Sequence, residues 1–346
     1  MCLYNRIVLN PKYKPNKKNG GVIPPVPDER VKYVPIGCGD CMECRKKKAR
    51  EWQVRMLEDL RENTNGKFIA FTFSNESIQK LVNMKPTKQW PGMKDLEGYE
   101  LDNEIATRAL RLFNERWRKK YGRALRHWFV TELGQEGTEN IHLHGIVWTD
   151  KTMDEIREVW GYGHMWPRPG CKKKNYVNEQ TVNYIIKYVT KKDEDHKTYK
   201  SVILSSDGIG KSYTKRKDAE RNKFKGQDTQ EGYRTRTGHK VNMPIYWRNK
   251  IYSDEEREKL WIQKLDKQER WICGEKIDIS KNEDEYWRTL KHYREINKQL
   301  GYGTGEKDWS REQYEKERRG LMMAKRLEQK KQIFLKGESS TNENEE

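Results

Sequence analysis

Residues 139–148 read ENIHLHGIVW and place two histidines one residue apart in an apolar run, in a chain of 346 residues that has seven histidines. Alternate side chains of a β-strand share a face, so His142 and His144 project together and Leu143 points the other way. Two imidazoles so placed lie close enough to hold one metal ion. The plainer alternative is a pair of strand histidines hydrogen-bonded to their neighbours. The flanking sequence bears on the choice: HWFVTEL (127–133) and IHLHGIVW (141–148) are separated by the turn-rich GQEGTEN, which predicts a β-hairpin. Glu132 then lies across the hairpin. It would complete a two-His, one-carboxylate set with positions left open for substrate oxygens. Glu136, in the turn, competes for the same role.

About forty residues further on, the spacing predicts a helix over 178–192. At about 100° per residue, Tyr184, Lys187, Tyr188 and Lys191 gather on one face, and Val182, Ile185, Ile186 and Val189 on nearly the opposite one. The apolar face belongs to a core. The other face is either an ordinary solvated one or a chemical one. A phenol titrates near pH 10, a nearby ammonium favours the phenolate that attacks phosphorus, and lysines hold phosphate oxygens.

Composition sets the class of partner. There are 71 Lys and Arg against 53 Asp and Glu, a net charge of +18, which favours a polyanion and nucleic acid above all. Aromatic residues make up 11% of the chain, so a substantial core is expected despite the polar composition. No apolar run approaches the roughly 20 residues that cross a bilayer, and the N-terminus lacks the features of a signal peptide, so a soluble, cytoplasmic protein with no membrane partner is expected.

Four segments are expected: a Cys-rich leader and basic helix (1–66), a catalytic domain (67–250), a helical C-terminal extension (251–335) and a disordered tail (336–346). Residues 1–36, rich in Pro, Lys, Gly and Asn, predict a loop-like leader. A basic amphipathic helix follows, from about Arg45, then the strand KFIAFTFS (67–74), a Pro- and Gly-containing linker and a helix over about 102–121. Thr152 with Glu155, Ser253 with Glu256 and Ser280 with Glu283 have the spacing of capping boxes. SDGIGKS (206–212) has Ser205 where a phosphate-binding loop needs Gly, so a turn is expected there. RWRKKYGRALRHW (116–128) mixes cations and rings as single-strand binders do, and His164 and Trp166 sit in a Gly/Pro loop that would line or cover the site.

Taken together, NIHLHGIVW followed by Y-x-x-K-Y-x-x-K resembles the HUH endonuclease superfamily of rolling-circle initiators, in its two-tyrosine type. MCLY, GCGDCMECRKKKAREW, FIAFTFS, VTELGQEGTENIHLHGI and YIIKYVTKK, in that order, narrow the resemblance to the replication initiators of gokushovirus-like microviruses, across most of residues 1–250. The resemblance implies an α+β protein: an HUH-type antiparallel sheet with packed helices, plus the N-terminal Cys-rich segment and helical C-terminal extension. It implies Mg²⁺ or Mn²⁺ on His142, His144 and Glu132, attack by Tyr184 or Tyr188 assisted by Lys187 and Lys191, and a 5′-phosphotyrosine on single-stranded origin DNA. Phe71–Phe73 would match a structural motif of the family. Host helicase and DNA polymerase would be partners, in the cytoplasm of a bacterial host. Cys38, Cys41 and Cys44 have metal-ligand spacing, and the resemblance adds Cys2 as fourth ligand of a structural Zn²⁺. The rival readings are a non-catalytic nucleic-acid-binding protein, as in genome packaging, and a metal-dependent hydrolase without covalent catalysis.

Overall fold

A computed structural model describes residues 1–135, 137–171 and 175–341, with side chains described through residue 325. Glu136, the competing carboxylate, lies outside the described residues.

The leader departs from the expected loop: β1 (Arg6–Leu9) and β2 (Tyr33–Ile36) pair antiparallel, Arg6 opposite Ile36. The basic helix α1 (Met42–Asp59) and the aromatic strand β3 (Gly66–Phe71) follow. The expected linker holds a further helix, α2 (Asn75–Val82), whose N-cap Ser74 accepts from the Ser77 N–H and whose Ile78 and Leu81 are buried. Then come α3 (Gly98–Tyr121), β4 (Arg126–Leu133) and β5 (Ile141–Trp148). Next are α4 (Met153–Trp160), opened by the Thr152–Glu155 capping box, β6 (Met165–Trp166), α5 (Glu179–Thr190) and β7 (Ile203–Ser205). Short elements α6 (Lys217–Glu220), β8 (Gly232–Arg234), β9 (Lys240–Asn242) and α7 (Ile245–Ile251) lead to α8 (Asp254–Asp266), where the Ser253–Glu256 box forms.

The third box does not form. Residues ahead of it make a hairpin, β10 (Glu269–Ile272) and β11 (Glu275–Asp278), whose two-residue turn is Cys273 and Gly274 at φ 50° and 99°. Helix α9 (Asp284–Gln299) then starts with Glu283 at its N-cap and no side-chain cap bond. The last helix, α10 (Trp309–Thr341), runs on through part of the segment expected to be disordered.

Contacts group the chain into two compact units, Met1–Asp59 with Gly210–Glu306, and Leu60–Ile209 with the residues from Lys307 on. The grouping cuts across the linear segmentation. In the first unit, residues 210–260 pack on α1: Trp247 is fully buried among Val54, Tyr213, Tyr233 and Met243, and the buried Glu58 accepts from the Tyr233 hydroxyl at 2.8 Å.

The second unit is built on a five-stranded sheet of order β6-β3-β5-β4-β7, every neighbouring pair antiparallel, so the protein is α+β as expected. Strand parity sorts its two faces. Ile69, Phe71, Phe129, Leu133, Ile141, Leu143 and Val147 point into a core shared with α2, α3 and α4. Gly145 lies on that face too, where a Cβ would enter the Phe129 ring and come within 2.5 Å of the Trp128 carbonyl oxygen. Trp128, Val130 and Ile146 point the other way, also buried, on the face where α5 packs against β4. That second face carries His142 and His144.

Candidate functional site

The hairpin register places Glu132 directly opposite His142, and Val130 opposite His144. His144 Nε2 and Glu132 Oε2 are 2.9 Å apart, and the other Glu132 oxygen accepts from Lys191 Nζ at 2.5 Å. Tyr188 lays its ring flat on the His144 imidazole, centroids 4.4 Å apart and 9° from parallel. The Tyr184 and Tyr188 hydroxyls are 2.8 Å apart. One helix and one hairpin thus bring Glu132, His142, His144, Tyr184, Tyr188 and Lys191 together. Lys187 stands exposed on the same helix. Lys191 is the C-cap of α5 rather than a residue of its interior, and that turn aims its side chain at the sheet.

Electrostatics here oppose the expectation that lysine would favour the Tyr188 phenolate. Burial and the hydrogen bond with Tyr184 raise the Tyr188 phenol above its ordinary value. Lys191 instead serves the carboxylate: burial pushes Glu132 up, but His144 and Lys191 outweigh it and hold the group below its ordinary value. Burial, then the charge of His144, lowers His142 and favours the neutral, ligating imidazole.

Two neighbouring ligands of an octahedral ion with bonds of about 2.1 Å lie about 3 Å apart, so Glu132 and His144 already have the spacing of a shared cation. His142 does not. Its ring centroid is 6.4 Å from that of His144, and among the described residues no group including it brings three ligand atoms within 4.8 Å of one another. Gly134 leaves it room to turn, since a Cβ there would sit 3.0 Å from the imidazole Cε1. Two imidazoles and one ionised carboxylate fit a divalent cation in donor chemistry, with His142 reorienting to complete the set.

Cys2, Cys38, Cys41 and Cys44, in the first unit, have sulfurs that all lie within 4.8 Å of one another. Cys38 to Cys44 and Cys41 to Cys2 are each 3.9 Å, close to the roughly 3.8 Å edge of a tetrahedron with 2.3 Å zinc–sulfur bonds. Backbone N–H groups of Tyr4 and Cys38 donate to the Cys2 sulfur, and those of Asp40 and Cys41 to the Cys38 sulfur. Donation from the Cys44 thiol pulls Cys41 down to about 5, while burial pushes Cys38 up to about 11. This group could bind a metal such as zinc. It also ties the leader to more than the basic helix, because Leu3, Cys41 and Met42 pack with Ile272, Ile277 and Leu290.

Other sequence candidates resolve differently. In 116–128, Arg116 donates to the carbonyls of Val159 and Trp160, and Trp117 and Trp128 are buried, so much of that run is structural; Arg118, Lys119 and Lys120 remain exposed. Residues 206–212 make a turn with Gly208 and Gly210 at φ 77° and 69°. Thr72 and Phe73 lie past the end of β3, where Thr72 bonds the His164 backbone.

A family model for replication-associated proteins of the ORF2 type matches residues 94–193. That segment runs from the start of α3 through α5 and contains every residue of the His–Tyr cleft. The match supports a role in replication initiation. No curated protein and no solved structure matches the chain significantly. Among the described residues, no helix is long and apolar enough to cross a membrane.

Proposed function

We propose that the chain is a rolling-circle replication initiator of the two-tyrosine HUH type, similar to those of gokushovirus-like microviruses, which nicks and rejoins single-stranded origin DNA. The observation that carries this reading is Tyr188 stacked on His144, with Glu132 on the imidazole edge and a second phenol 2.8 Å from the first. A nucleophile, a ligand set and a spare nucleophile share one cleft.

Tyrosine Oη attacks phosphorus, the P–O3′ bond breaks, and the leaving 3′ oxygen takes up a proton as the phenol gives one up. Because the Tyr188 phenol is raised, it loses its proton during attack, and the Tyr184 hydroxyl is placed to relay it. Lys187 and Lys191 supply positive charge for the phosphate oxygens. Mg²⁺ or Mn²⁺ on His142, His144 and Glu132 would polarise the scissile phosphate as a Lewis acid. The 5′-phosphotyrosyl ester conserves the energy of the broken bond, and the free 3′-hydroxyl primes a host polymerase behind a host helicase in the bacterial cytoplasm. The second tyrosine then cuts the regenerated origin, and the 3′-hydroxyl attacks the first ester and closes a circle.

Incubation with a randomised single-stranded DNA pool and Mn²⁺, followed by denaturation, should yield a covalent protein–DNA adduct whose captured DNA gives the origin. Tyr184→Phe and Tyr188→Phe together should abolish it. An uncut pool would leave a non-catalytic binding protein, cutting without an adduct would leave a hydrolase, and an adduct from the double replacement would remove both nucleophiles from the scheme.

A further inference from the structure

On the sheet face that carries the histidines, Trp166 of the edge strand β6 pairs with Ala70 of β3, and Ala70 pairs with His144 of β5. The three residues form one row across three strands, and two strand spacings put the outer pair about 10 Å apart. Ala70 carries only a methyl group, so the row is low in the middle and walled at both ends. Parity sends Met165 into the core, 2% exposed, and leaves Trp166 47% exposed on the active face. Nothing in the core needs that indole.

Its orientation is nevertheless fixed. The Phe68 ring meets it edge-on at 5.4 Å, and Phe68 meets Tyr184 edge-on at 5.8 Å on its other side. Phe68 is held in turn by the Asn175 side-chain amide, which accepts from its N–H at 2.9 Å and donates to its carbonyl at 2.6 Å. Thr72 anchors the segment before β6 by donating its N–H to the His164 carbonyl at 2.9 Å. Trp166, Phe68 and Tyr184 thus form a continuous line of rings ending at the candidate nucleophiles, on a strongly basic chain.

We propose that the exposed face of Trp166 is a stacking site for one unpaired nucleobase of the DNA strand, the base flanking the phosphate held at His144 and Tyr188. A flat, half-exposed ring beside a phosphate site is how proteins hold single strands, and a base inside a duplex has no free face to offer it. This site would set the register of the scissile phosphate. The inference rests on the reading of the cleft as a DNA-nicking site, and its test has one arm that does not.

In the first arm, affinity for a fluorescein-labelled single-stranded oligonucleotide is measured in EDTA, where no chemistry occurs, beside an abasic oligonucleotide of equal length. Trp166→Ala should weaken the base-bearing strand by about 5- to 150-fold and leave the abasic one unchanged, while Trp166→Phe keeps most of the affinity. In the second arm, adduct yield in Mn²⁺ is measured on the captured origin with single abasic sites on either side of the cut. One position should depress the wild type and have no further effect on Trp166→Ala. Loss of the base-bearing strand by Trp166→Ala without any wild-type adduct would keep the stacking site and sink the nicking reading. A wild-type adduct with Trp166→Ala indistinguishable in both arms would sink the stacking site alone, and equal weakening toward both strands would also refute it. Urea melts of both variants should match the wild type, so that lost binding is not lost folding.

Discussion

Replacing Arg319 with methionine tests whether α10 is a structural part of the sheet unit. The guanidinium is 4% exposed. Its Nε and Nη2 donate to the Asp102 carboxylate at 3.0 and 2.8 Å, its Nη1 to the Glu139 carboxylate at 3.2 Å, and Nη2 also to the Glu139 carbonyl at 3.2 Å. Asp102 is as buried as its partner, so the substitution leaves a carboxylate in the interior without its bidentate cation, which costs about 3–5 kcal/mol. Glu139 loses less, because Arg318 donates to both its oxygens, at 2.9 and 2.5 Å, and His196 remains at 2.8 Å. The assay is urea unfolding followed by far-UV circular dichroism, and the double variant with Asp102→Asn should recover at least about 1 kcal/mol of the loss. A single variant within about 0.5 kcal/mol of wild type, the range of surface changes, would refute the reasoning. So would a double variant equal to the sum of the singles. The site is coupled to this: Glu139, at φ 49°, is three residues before His142.

The same cluster makes stability pH-dependent. His196, 1% exposed, lies between Glu139 at 2.8 Å and Asp193 at 3.0 Å, with the Tyr99 ring edge against it. Burial lowers its pKa but the two carboxylates win and raise it, so its contribution is complete below the ordinary value of about 6.5 and fades as pH rises through the folded value. Glu139 is held down to about 2, so its share is complete above about 4.5 and fades as pH falls toward that value. The stability gap between wild type and His196→Gln should therefore be widest near about pH 5–6 and shrink by pH 9; a gap that stays constant refutes the ion pair. Cys41→Ser should take bound zinc, measured by elemental analysis, from one per chain to near none and expose the Leu3–Leu290 packing to amide exchange, while a variant that still holds one zinc would exclude Cys41 as a ligand. Gly145→Ala should cost about 1–3 kcal/mol in urea melts, because its Cβ meets Phe129 and the Trp128 carbonyl, and a neutral result would contradict that close approach.

What the sequence disclosed was what lies within a few residues of itself. Period two sends His142 and His144 to one face, period 3.6 buries Val182, Ile185, Ile186 and Val189, and the Thr152–Glu155 and Ser253–Glu256 boxes close over three residues. The short loop between β4 and β5 also disclosed the pairing of Glu132 with the histidine strand. Features that depend on distant chain were not legible. Trp166 joins β3 from nearly a hundred residues away, Arg319 reaches Glu139 across 180, and the Cys-rich leader packs on a hairpin beginning at Glu269. No local pattern encodes such a partner.

Tyr188 shows how the same limit reaches the chemistry. Spacing alone sets Lys191 three residues after it and suggests an ammonium that eases its ionisation. In the fold the helix ends at Thr190, the C-cap backbone turns at φ −53° and ψ 129°, and the ammonium bonds Glu132 at 2.5 Å while remaining 6.0 Å from the Tyr188 ring centre. The phenol, half-buried against His144, is raised. The cation that spacing assigned to the nucleophile therefore keeps the carboxylate ionised, as a metal ligand must be. Activation of the phenol then falls to the phosphate-bound state, when a cation at Glu132 and His144 and the partner phenol act together. Glu132→Gln should consequently abolish adduct formation at saturating DNA while leaving affinity in EDTA within about twofold, because it removes a ligand and no strand contact. An adduct formed by that variant at the wild-type rate would return the role to another carboxylate.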